Sequence, residues 1–90
     1  MTKVLRDYLM KGGLEGRYFE RWFQGSMVPY RVEVINQRGG EFIANVLYIY
    51  TTRNSAGQIS LDSMMSDPLD NRQKLLKRRE MKNSKPYNSR

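Results

Sequence analysis

Two apolar segments flanking a glycine pair constrain this chain more than any other feature. Val28, Tyr30, Val32 and Val34 alternate with Pro29, Arg31 and Glu33, the period-two pattern of a half-buried strand. Past Arg38-Gly39-Gly40, the segment from Glu41 to about Thr52 is apolar on both sides, with Phe42, Ala44, Val46, Tyr48 and Tyr50 against Ile43, Leu47 and Ile49. Such a strand belongs at the centre of a sheet, covered on both faces. Proline cannot donate to a ladder, so Pro29 marks an edge or the start of its strand. A three-residue loop, Arg38-Gly39-Gly40, with a glycine in the left-handed bulge position, pairs Val34 with Ala44, Val32 with Val46 and Tyr30 with Tyr48. That register aligns both apolar faces.

Shorter elements surround this hairpin. Thr2 can cap a helix through about Lys11, stopped by Gly12-Gly13. Tyr18, Phe19, Trp22 and Phe23 recur at helical spacing, which predicts a second helix ending at Gly25, with a strand as the alternative because aromatics favour sheets. A turn at Asn54-Ser55-Ala56-Gly57 leads to a third strand, Gln58–Leu61, and residues 60–66 form a turn or a single helical turn. The last helix starts with Ser66 or Asp67 as cap, Pro68 in the first position and Asp70 in the first turn, and runs to about Lys82. The expected fold class is a small single α+β domain: N-terminal helical segments, a three-stranded antiparallel sheet and a C-terminal basic helix.

The order helix, three antiparallel strands, helix over residues 14–82 resembles that of double-stranded-RNA-binding domains. Pro29-Tyr30 before the first strand, and Phe42 with Val46 in the second, fall where those domains also use such residues. The last helix opens Pro68-Leu69-Asp70-Asn71 in place of their Lys-Lys-x-Ala-Lys, so the resemblance implies a fold and transfers no binding residue.

Charge divides the chain more sharply than hydropathy does. All of the net +7 lies in residues 71–90, where Arg72, Lys74, Lys77, Arg78, Arg79, Lys82, Lys85 and Arg90 face only Glu80. Residues 1–70 are electroneutral and form the body, 67–82 the basic helix, and 83–90 a disordered basic tail carrying Lys85 and Tyr87. Clustered like charge repels itself until a partner neutralises it, so the expected partner is a polyanion. Helix-dipole complementation accounts for two or three of these cations, not eight.

Histidine and cysteine are absent. Their absence removes thiolate metal sites, disulfides, thiol nucleophiles and every Ser-His or Cys-His arrangement. Asp62, Asp67 and Asp70 lie close in sequence but lack a fourth ligand or partner base, and read as cap residues. No enzyme activity, cofactor or metal is expected. No apolar run reaches the ~18 residues of a membrane span and residues 1–14 lack a signal-peptide core, so a soluble, cytoplasmic location is expected.

The leading expectation is a small accessory protein binding nucleic acid, RNA ahead of DNA, through Arg72, Lys74, Lys77, Arg78, Arg79, Lys82 and Lys85. Tyr87, Tyr18 and Trp22 are the aromatics that could stack on bases or touch a partner. The competing expectation is a protein-interaction module, an assembly factor, small subunit or inhibitor, docking on an acidic protein surface. There the patch Tyr18–Phe23 with Met27, Met64 and Met65 makes the contact.

Overall fold

The computed structural model describes residues 13–83, so the helix expected before Gly12 and the tail with Lys85 and Tyr87 lie outside the described residues. Four strands form one antiparallel meander in the order β1-β2-β3-β4: β1 Tyr18–Phe23, β2 Ser26–Arg38, β3 Glu41–Ile49 and β4 Asn54–Ser60. A single helical turn, α1 (Leu61–Met64), follows β4, and α2 (Gln73–Asn83) closes the described chain. The chain is therefore a small single α+β domain with a C-terminal helix, but its sheet has four strands where three were expected.

The added strand is the aromatic patch expected to be helical. Its pairing runs Tyr18↔Arg31 to Phe23↔Ser26. Gln24 and Gly25, with φ of 42° and 83°, form the two-residue connection in which both central residues are left-handed. A helix would have kept charge off the apolar side. The sheet covers both faces instead, with Tyr18 and Phe19 buried on opposite sides. Its charges find partners too: Arg21 Nε lies 2.8 Å from Asp67, and Glu20 lies 3.2 Å from Arg72. With a strand in first place, the helix-first order of double-stranded-RNA-binding domains is not present in the described residues.

The central hairpin keeps the expected pairs Tyr30↔Tyr48 and Val32↔Val46 but reaches them differently. Arg38 pairs with Glu41, leaving a two-residue Gly39-Gly40 loop led by Gly39 at φ 64°. That short loop sets Val34 opposite Asn45 and Ile35 opposite Ala44. A bulge between Val32 and Val34 absorbs the extra residue and restores the phase of the two faces.

The β3–β4 turn also lies earlier than expected. Tyr50 N–H donates to Arg53 O at 3.0 Å, and Asn54–Gly57 join the strand. Gly57 leaves room there for the Tyr48 ring, which an added Cβ would overlap.

Each face has its own cover. On one, Phe19, Tyr30, Val32, Ala44, Val46 and Ile59 pack beneath Leu61 and Met64 of α1, with Leu14 and Phe42 completing the cluster. Ser60 caps α1, its hydroxyl accepting from Ser63 N–H at 3.2 Å. On the other face Tyr18 and Ile49 pack with Leu76 of α2, and Leu47 borders them.

Residues 67–70, expected to open the last helix, are extended instead. Glu20 N–H donates to Pro68 O (3.1 Å) and Asp70 N–H donates to Tyr18 O (2.9 Å), so this segment closes the outer edge of β1. Leu69, expected on the helix stripe beside Leu76, bridges Phe19 and stays 42% exposed. The helix therefore starts at Gln73, and only Leu76 anchors it in the apolar core.

Candidate nucleic-acid interface

Polar contacts fix how α2 lies on the sheet. Gln73 imitates a strand residue: its Oε1 accepts from Tyr18 N–H at 2.9 Å, and its Nε2 donates to Tyr18 O at 2.8 Å. One helical stretch later, the Glu80 carboxylate accepts from the Tyr18 hydroxyl and, at 2.7 Å, from Arg31 Nε. Burial, then the hydrogen bond and charge of Glu80, raise the Tyr18 phenol far above its ordinary value, against an opposing effect of Arg31. Asn83 Nδ2 donates to Tyr50 O at 2.7 Å and ties down the last turn.

At ~100° per residue from buried Leu76, these contacts set the outward face. Gln73, Arg79, Glu80 and Asn83 fall towards the sheet. Lys74 and Arg78 fall opposite, flanked by Lys77 and Met81 on one side and by Leu75 and Lys82 on the other. Lys74, Lys77, Arg78 and Lys82 are all exposed, and none joins an ion pair among the described residues. The ion pairs that do form use Arg21, Arg31 and Arg72, which draw Glu20, Glu33, Asp67, Asp70 and Glu80 into the body. Acid is thereby withdrawn from the helix surface and an unneutralised cationic stripe remains.

Arg72 does not belong to that stripe. Its Nε and Nη2 donate to buried Asp70 at 3.0 and 2.8 Å, and Nη2 reaches Glu20 at 3.2 Å. Burial pushes the Asp70 carboxyl up, but the Arg72 donors outweigh it and hold the group below its ordinary value. Asp67 is likewise a partner and not a helix cap, accepting from Arg21 Nε and, at 2.7 Å, from the Tyr30 hydroxyl. Tyr18 is 3% exposed and committed to Glu80, so it offers no ring to a ligand. Trp22, 64% exposed, does. Of the methionines expected at a protein contact, Met64 is buried whereas Met27 and Met65 are exposed.

Arg79 is set apart from the outward cations. It lines a cleft of about 600 Å³ with Arg72, Tyr50, Thr51, Met27 and Pro29, and its Nη2 donates to Thr51 Oγ1 at 3.0 Å. The sequence carried one sign of this cleft, Pro29. Pairing of β2 with β3 ends at Tyr30↔Tyr48, so Ser26–Pro29 pair with β1 alone. Val32 N–H donates to Arg17 O on the β1 side. Strand alternation then turns the Pro29 nitrogen and the Met27 peptide groups towards the cleft.

Among the described residues no group of three or more acidic side chains could hold a metal ion, and no helix is long and apolar enough to cross a membrane. Comparison with family models, curated proteins and solved structures yields no match.

Proposed function

We propose that this chain is a small non-enzymatic accessory protein that binds nucleic acid, with the outward face of α2 set against the phosphates. One observation carries the reading: Lys74, Lys77, Arg78 and Lys82 form a continuous exposed stripe while five acids, Glu20, Glu33, Asp67, Asp70 and Glu80, are paired with Arg21, Arg31 and Arg72. Cations so arranged displace condensed counterions, and that release gives sequence-independent affinity. Phosphate contacts alone serve RNA and DNA alike.

The competing reading, docking on an acidic protein, has less support. Burial of Tyr18, Phe19 and Met64 removes those three from the contact it needs and leaves Trp22, Met27 and Met65 exposed. The test is purification from native lysate with and without nuclease, beside a variant with Lys74, Lys77, Arg78 and Lys82 all changed to Gln. The expected result is nucleic acid bound to the native chain, lost on nuclease treatment and absent from the variant. A stoichiometric protein partner that survives nuclease overturns the reading.

A further inference from the structure

The cleft beside Arg79 sets an unneutralised cation, like those on the outer face of α2, in a concave site that also holds an aromatic residue and an open strand edge. It has a concave shape of about 600 Å³, inside the ~300–1,000 Å³ range of small-ligand sites. It has a cation without a carboxylate: Arg79 joins no ion pair among the described residues, whereas Arg72 at the same wall is neutralised by Asp70 and Glu20. Tyr50 also lines the cleft, 36% exposed, with its ring centroid 6.2 Å from that of Tyr48. The opposite wall is the edge of β2 at Met27, whose peptide donor and acceptor have no strand beside them.

A duplex is too wide to enter such a space, whereas an unstacked nucleotide brings a phosphate, a flat base and polar base edges. Those three meet a guanidinium, an aromatic ring and an open peptide edge. We propose that this cleft seats a nucleotide of a single-stranded nucleic acid, with Arg79 on the phosphate and Tyr50 against the base, while the strand continues along α2. The proposal rests on the nucleic-acid reading above and adds a preference for single strands. An acidic peptide would satisfy Arg79 and pair with the peptide edge, but it brings no flat base for the ring.

The experiment measures fluorescence anisotropy at low salt with a labelled mixed-sequence oligonucleotide, single-stranded and annealed to its complement. Native chain, Arg79→Gln and Tyr50→Ala are compared, with circular dichroism confirming that each variant is folded. Each substitution is expected to weaken single-strand binding about tenfold and to change duplex binding by less than about twofold. Trp22, the one tryptophan of the chain, lies across from Met27 and should change its emission when the single strand binds. Equal losses for both probes, or no loss for either, overturn the proposal. Duplex binding without single-strand binding overturns it and leaves the nucleic-acid reading standing, and failure of both probes ends both. Displacement of the single strand by poly-glutamate from the native chain but not from the variants reassigns the cleft to an acidic protein segment and also overturns it.

Discussion

Replacing Glu80 by Ala should be among the most damaging single changes outside the apolar core. Its side chain is 13% exposed and takes two hydrogen bonds, one from the Tyr18 hydroxyl and one from Arg31 Nε at 2.7 Å. Bonds to a charged group contribute about 1.5–3 kcal/mol each, which sets an upper bound of roughly 3–6 kcal/mol. Two effects lower it. Arg31 is 27% exposed and keeps Glu33 at 3.2 Å, so it is rehydrated and still paired. Removing the carboxylate also returns its own desolvation cost. A net loss of about 2–3 kcal/mol remains, chiefly from the hydroxyl stranded on buried Tyr18. For a domain of this size it lowers Tm by roughly 8–24 °C. Glu33→Ala is the control, because that carboxylate is 39% exposed and should contribute under about 0.5 kcal/mol. Thermal unfolding followed by circular dichroism measures both. Equal Tm for the two variants, or a fall for Glu80→Ala below about 3 °C, refutes the view that Glu80 fastens α2 to the sheet.

Gly57→Ala should cost about 1–3 kcal/mol in urea unfolding, because the new methyl overlaps a Tyr48 ring already held between Phe23 at 5.3 Å and Tyr30 at 5.8 Å. A variant as stable as the native chain would show that the ring has room to shift. Alkaline stability should fall above about pH 10, where the unfolded phenols ionise but those of Tyr18 and Tyr30, raised by burial and by Glu80 and Asp67, do not. The sign follows from the raised folded values: the contribution is complete below pH ~10 and is lost as pH rises. Tyr30→Phe should flatten that decline, and an unchanged slope between pH ~9 and ~11 counts against it. Trp22→Ala should leave Tm within about 3 °C of native, since the ring is 64% exposed, and a larger drop would assign it a packing role.

Legibility in the sequence followed how local each determinant is. Alternation from Val28 to Val34 and the two-sided apolar run of β3 depend on residues next to one another, and the pairs Tyr30↔Tyr48 and Val32↔Val46 are present as read. The bulge at Glu33 was not legible, because a three-residue loop and a two-residue loop plus bulge both pair Val32 with Val46 and Tyr30 with Tyr48. The patch Tyr18–Phe23 has spacing that suits a helix as well as a strand. What decides is distant: α2 covers Tyr18, the α1 cluster covers Phe19, and Asp67 and Arg72 receive the charges. Residues 67–70 misled for a related reason, since a proline after a capping residue looks like a helix start whether or not a strand edge needs closing. Within the basic segment the sequence located the charge but not its division. Only folding separates Arg72, spent on Asp70, and Arg79, in the cleft, from the outward Lys74, Lys77, Arg78 and Lys82.

The salt dependence of nucleic-acid binding tests the cationic stripe most directly. With about four to six phosphate contacts, log affinity against log salt should fall with a slope of about −3.6 to −5.4 for a duplex. Changing Lys74, Lys77, Arg78 and Lys82 to Gln should flatten that slope by about 3.6. A native slope near zero, or the same slope in the variant, would contradict the account.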